Sequence, residues 1–165
     1  MFNKALTIIS LISITLVVTA GCGKGSDSTG SSSCTDLPVT SDSSALLSFA
    51  KTNGITSLQD TIGLYYQIIS QGSGATPALG SKVFITYTGT FMDGTIFDST
   101  TNASKTGFVL GDLIRGWQYG LPKIQVGGRI KLLIPSAYAY GCQGYGSAIP
   151  PYAPVYFDIS LVSIQ

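Results

Sequence analysis

Ile114-Arg115-Gly116-Trp117-Gln118-Tyr119-Gly120-Leu121 is the stretch that departs from the β rhythm of the second half of this 165-residue chain. Ile114, Trp117 and Leu121 recur at helical spacing and Pro122 ends the pattern, which predicts a helix of two turns. Two glycines in so short a segment make it unstable alone, so packing must hold it. The surrounding sequence supplies a sheet to hold it. Residues 63–69, 82–88, 105–110, 129–134 and 155–161 are rich in β-branched and aromatic side chains and are bounded by Gly, Pro, Asn or Asp. Met92-Asp93-Gly94-Thr95 lies between two apolar runs as a hairpin signal. Residues 43–51 predict an accessory helix with Leu46, Leu47 and Ala50 on one face and Asn53-Gly54 as its stop. The expected class is α+β: an antiparallel sheet of five to six strands wrapped around one short helix, preceded by a short N-terminal helix.

The first residues read differently. Lys4 opens an apolar run, residues 5–20, that stops at Gly21-Cys22. The run is shorter than the ~20 residues needed to span hydrocarbon, and small residues follow it, so residues 1–21 are expected to be a signal peptide. Thr19-Ala20-Gly21-Cys22 resembles the lipobox of bacterial lipoproteins, with Thr19 where Leu is usual. That resemblance implies acylation of Cys22 and a place in the bacterial cell envelope. Gly23, where an inner-membrane protein would resemble the family with Asp, leans towards the outer membrane facing the periplasm. Residues 22–40 are mostly Gly, Ser, Thr and Asp and are expected to be a flexible tether. Residues 41–59 would carry the accessory helix, and residues 60–165 form one domain large enough for a single core.

Charge and composition narrow the chemistry. Without Lys4, the eight remaining Lys and Arg balance eight Asp. Neither the phosphate attraction behind nucleic-acid binding nor a polybasic attraction to lipid is available, so membrane contact would run through the acyl anchor only. The chain has no His and no Glu, which removes Ser-His and Cys-His nucleophiles and paired-Glu glycosidase sites. No Cys-x-x-Cys spacing or Walker-type loop is present, so no metal or cofactor is expected. With Cys22 acylated, Cys34 and Cys142 remain as an even pair in an oxidising compartment, either bridged or as two thiols. The abundant groups are aromatic: 9 Tyr, 7 Phe and 1 Trp. They suit a dry apolar pocket as readily as an ordinary core.

Three stretches read together favour the pocket. Tyr87-Thr88-Gly89 leads to Asp93-Gly94-Thr95-Ile96-Phe97-Asp98-Ser99; Ile114-Arg115-Gly116-Trp117 follows; then come Tyr138-Ala139-Tyr140-Gly141, Ile149-Pro150-Pro151 and Val155-Tyr156-Phe157-Asp158. Their order and spacing resemble the FKBP-type peptidyl-prolyl cis/trans isomerases over residues 60–165. The resemblance implies Trp117 as the pocket floor, Tyr87, Phe97, Phe108 and Phe157 as walls, and Leu113 and Ile114 at one edge. It further implies the Ile114 N–H and the Tyr140 hydroxyl as donors to ligand carbonyls, Asp98 at the rim in a positioning role, and Tyr145 and Ile149 in the upper loop. Departures from the family pattern fall at the shortened 111–114 turn, at Tyr145 where His is common, at Ala148, and around Asp98, for which only Lys105 offers a basic partner.

The implied partners are Xaa-Pro segments of unfolded or exported proteins, and macrolide-type inhibitors. The leading expectation is an isomerase that assists folding of exported proteins. A chaperone or peptide-binding module without turnover needs the same pocket, whereas a purely structural surface lipoprotein would not need it.

Overall fold

The computed structural model describes residues 34–165, so the expected signal peptide, Cys22 and the tether up to residue 33 lie outside the described residues. Two helices and seven strands follow in the order α1 Ser43–Thr52, β1 Leu58–Gln59, β2 Tyr65–Ser70, β3 Lys82–Thr90, β4 Ile96–Thr100, β5 Phe108–Val109, α2 Arg115–Gly120, β6 Arg129–Ile134 and β7 Val155–Ile164. All strands pair antiparallel in one sheet, in the order β1-β2-β6-β7-β3-β4. The free edge of β3 is shared: β5 pairs with Lys82 and Val83 at its start, and β4 with Tyr87 to Thr90 at its end. This is the expected α+β architecture.

The sheet closes over α2 because the helix can approach it closely. A Cβ on Gly116 would lie 2.5 Å from Ile134 Cγ2, and one on Gly120 2.5 Å from Leu132 Cδ1. The two glycines that weaken the isolated helix are therefore the face by which it docks on β6. Trp117 and Leu121 then enter a core with Ile85, Ile130, Phe157 and Ile159, all buried. Leu133, between Leu132 and Ile134, faces the opposite side and packs with Leu46, Phe49, Ala50, Ile55 and Tyr65. Residues 132–134 are an unbroken apolar run because β6 is covered on both faces, by α2 and by α1.

Several elements differ from the sequence reading. In α1 the buried set is Leu46, Phe49 and Ala50, while Leu47 is 48% exposed, one helical step off the buried stripe. The strand expected over 105–110 is reduced to β5. The Asn102 side chain caps a tight turn, Ala103–Lys105, by accepting from the Ser104 N–H at 3.1 Å, and Gly107 adopts φ 87°. β4, which carries Phe97 and Asp98, and the short β1 complete the sheet beyond the five strands read individually. The turn between β3 and β4 is the expected Asp-Gly hairpin: Gly94 adopts φ 87° and Asp93 Oδ1 accepts from the Thr95 N–H at 2.8 Å.

The end of the expected tether is not free. Cys34 is disulfide-bonded to Cys142. Asp36 Oδ1 accepts from the Cys142 N–H at 2.8 Å, and the Tyr152 hydroxyl donates to the Thr35 carbonyl at 3.3 Å. Asp42 Oδ2 accepts from both the N–H and the hydroxyl of buried Ser136, each at 2.7 Å. Residues 34–42 thus form an arm docked along the segment that follows β6.

Candidate functional site

The cleft begins at a glycine. Gly89 sits in β3 opposite Phe157 of β7 and Asp98 of β4. A Cβ there would fall 2.6 Å from the Phe157 ring and 2.8 Å from the Phe97 ring, so the missing side chain lets two rings lie over the strand. Above them the aromatic edges interlock. Trp117 meets Phe157 at 4.9 Å between centroids and 87°, and Tyr87 meets Trp117 at 5.2 Å and 75°. Phe97 stands against Phe157 at 5.5 Å and 89°, with Phe91 at 4.9 Å behind it. Edge-to-face contacts of this kind fix ring orientation as well as burying area.

These rings bound a cleft of about 230 Å³ lined by Tyr87, Asp98, Phe108, Leu113, Ile114, Trp117, Tyr140, Tyr145 and Phe157. Nine of the eleven residues expected at the pocket therefore converge there from β3, β4, β5, the turn before α2, α2 itself, β7 and the loop after β6. Phe97 and Ile149 do not line it. Phe97 forms the layer behind Phe157, and Ile149 is buried within the loop, its carbonyl accepting from the Tyr145 N–H at 2.8 Å. Tyr145 stands at the rim, 67% exposed, beside Tyr140 at 5.7 Å.

The hydrogen bonding divides the polar groups into spent and unspent. The Tyr87 hydroxyl donates to Asp98 Oδ2 at 2.6 Å, so the partner of Asp98 is a phenol and not Lys105. Burial first, then that hydrogen bond, pushes the Tyr87 hydroxyl well above its ordinary value. Burial, with the Asp98 charge second, raises Tyr140. Both phenols are thus kept as neutral donors. Among the described residues, neither the Tyr140 hydroxyl nor the Ile114 N–H finds an intramolecular acceptor, and the buried Trp117 Nε1 also lacks one. Ordinary buried donors are paired, so unspent ones around a cleft mark where a ligand carbonyl fits.

Three supporting residues escaped the sequence reading. Gly89 carried a signal, a glycine inside a strand pattern, whose meaning depends on which rings cross it. Phe91 backs Phe97 from beyond the end of β3. Gln118 has no sequence signal at all: its Nε2 donates to the Gly111 carbonyl at 2.9 Å and the Leu113 carbonyl at 2.7 Å, clamping the shortened turn that presents Ile114.

The comparisons agree with this geometry. A family model described as FKBP-type peptidyl-prolyl cis-trans isomerase matches residues 74–162. The macrophage infectivity potentiator of Trypanosoma cruzi is 44% identical over 105 residues, 62% of this chain and 54% of the relative. The FKBP-type 22 kDa peptidyl-prolyl cis-trans isomerase of Escherichia coli is 38% identical over 116 residues, 70% and 55% of the two chains. The chain spans about half the length of these curated relatives. The crystal structure of FkpA from Escherichia coli superposes with a TM-score of 0.65 at 32% identity, covering 78% of this chain and 61% of that one. With the sheet wrapped on α2, the ring-lined cleft and a family match over more than half its residues, the chain belongs to the FKBP-type peptidyl-prolyl cis-trans isomerase family.

Proposed function

We propose that this chain is a peptidyl-prolyl cis/trans isomerase that acts on Xaa-Pro segments of exported proteins. The observation that carries the reading is the cleft itself: a Trp117 floor crossed edge-on by Tyr87 and Phe157, with unspent donors at Ile114 and Tyr140 on its margin. The prolyl bond rotates unaided over a barrier of about 18–20 kcal/mol, and nothing covalent has to change. Amide resonance places partial charge on the imide oxygen, and the twisted transition state loses that charge separation. A water-poor aromatic cleft therefore favours the twisted form over the planar one, and each ~1.4 kcal/mol of that preference is tenfold in rate. Phe108, Leu113 and Trp117 would seat the prolyl ring, while the Ile114 N–H and Tyr140 hydroxyl hold the flanking carbonyls in a turn. Asp98, held by Tyr87, would orient the rim; no proton has to move. The same cleft would accept macrolide-type inhibitors.

A protease-coupled assay of a Leu-Pro or Phe-Pro peptide decides the reading, with Asp98→Ala and Tyr140→Phe beside the parent. The expected outcome is acceleration over the uncatalysed rate, with Tyr140→Phe lowering kcat/KM by about tenfold, the worth of one hydrogen bond to the reacting segment. A parent that binds the peptide but leaves its rotation at the spontaneous rate is a peptide-binding chaperone instead.

The place of action follows from the N-terminal sequence. Lys4, the apolar run and Gly21-Cys22 support export with an acyl anchor at Cys22, holding the domain at the outer membrane on its periplasmic side. Cys22→Ser is expected to move the protein from the membrane fraction to the soluble one; unchanged partitioning would remove the anchor from the proposal.

A further inference from the structure

A second cleft, of about 550 Å³, adjoins the aromatic one. Leu113, Ile114 and Tyr140 line both, so the two are halves of one groove divided at those side chains. The halves differ in character. The first is ringed by aromatics, whereas the second is lined by Arg115 and Gln118 of α2, by Cys34 and Asp36 of the arm and by residues 141–144. The arm that supplies Cys34 and Asp36 is fixed there by the disulfide to Cys142 and by the Asp36 hydrogen bond to the Cys142 N–H.

We propose that this second half is a subsite for the polypeptide flank next to the Xaa-Pro pair, with the N-terminal arm as its wall and Arg115 selecting acidic flanks. The inference rests on the isomerase reading of the aromatic cleft. A client is a continuous chain, so a ring seated over Trp117 directs its neighbours across Ile114 and Tyr140 into the adjoining space. Arg115 is exposed and has no carboxylate within ion-pair distance among the described residues, leaving five N–H donors unspent. Asp36, on the arm, accepts from the Cys142 N–H through Oδ1. A bond from a neutral amide leaves a carboxylate its charge, so the groove carries one charge of each sign; the guanidinium, with every donor free, is the group placed to grip a flank, and it pairs best with a carboxylate and next with main-chain carbonyls.

The test uses the purified full chain and a Leu-Pro tetrapeptide, alone or lengthened by three residues on either side with Ala, Asp or Lys. Both kcat/KM and Kd are measured, the latter from the fluorescence of the single Trp. On one side of the core, Asp extensions are expected to exceed Lys extensions by about threefold, the range of a solvent-exposed ion pair. Arg115→Ala should erase that preference. Cys34→Ser, which releases the arm, should reduce the gain from any extension on that side, while both variants handle the short tetrapeptide as the parent does. Equal values for all extensions, a preference that survives Arg115→Ala, or a gain untouched by Cys34→Ser overturns the proposal. Arg115 is exposed, so its variant keeps the experiment decisive even where Cys34→Ser folds poorly. Absence of turnover on the short peptide counts against the isomerase reading alone, because the Kd series still reads the subsite.

Discussion

Replacing Gly116 by alanine tests whether the cleft floor depends on close approach of α2 to the sheet. The new Cβ would lie 2.5 Å from Ile134 Cγ2, 2.6 Å from Cδ1 and 2.9 Å from Cγ1, where carbon atoms settle at about 3.5–4.0 Å. Ile134 is fully buried in the core. Either α2 lifts from β6 by roughly 1 Å or Ile134 leaves its rotamer, and overpacking of this kind costs about 1–3 kcal/mol. Exchanging Gly for Ala inside a helix returns about 1 kcal/mol. Three contacts shorter than 3 Å place the strain near its upper end, so the net loss is about 1–2 kcal/mol. Trp117 follows immediately, so the same displacement moves the indole and kcat/KM should fall with stability. Urea unfolding followed by Trp fluorescence reads the first effect and the peptide assay the second. Ile134→Ala alone should cost about 2–5 kcal/mol through its cavity, and the double variant should cost at least about 1 kcal/mol less than the sum, since the added methyl enters the vacated space. Full stability of Gly116→Ala with an unshifted Trp spectrum, or strict additivity in the double variant, would refute the packing argument.

Three further predictions rest on the same structure. The Cys34–Cys142 bridge closes a sequence separation of 108, so Cys34→Ser with Cys142→Ser should lose about 2–4 kcal/mol and lower the urea midpoint; an unchanged midpoint would mean that the bridge constrains nothing. With no His in the chain, kcat/KM should be flat between about pH 6 and 9. Tyr87, Tyr140 and Tyr156 are all raised above the ordinary phenol value, chiefly by burial. A raised folded pKa gives stability that is whole below about pH 10 and is lost as pH climbs above it, so alkaline unfolding should set in there. A bell-shaped rate profile centred near neutrality would contradict this.

Much of the architecture is legible in local pattern because each element buries its own period. The 3.6-residue spacing of Ile114, Trp117 and Leu121 and the alternation of residues 155–161 report which side faces inward, and α2 and β7 lie where those patterns put them. Local pattern fails where capping competes, as at Asn102, which turns residues 103–105 out of the expected strand. It also fails where apolar residues flank a stripe on both sides, as Leu47 and Phe49 flank Leu46 and Ala50 in α1, and packing decides which one is buried. For the cleft, the ordered motifs identified the rings but not their layering. Phe97 and Phe157 read alike in sequence, and only the crossing over Gly89 sends one to the lining and the other behind it.

From residue types alone came the α+β class, the absence of an imidazole for neutral-pH proton transfer and the aromatic character of the site. The docking of the 34–42 arm, the pairing of Asp98 with Tyr87, the clamp by Gln118 and the division of the groove at Ile114 and Tyr140 came only with the folded chain. The physical reason is range. A side chain's periodicity is set by its nearest neighbours along the backbone, whereas these contacts join residues whose separation in sequence says nothing of their distance until the sheet has closed around the helix.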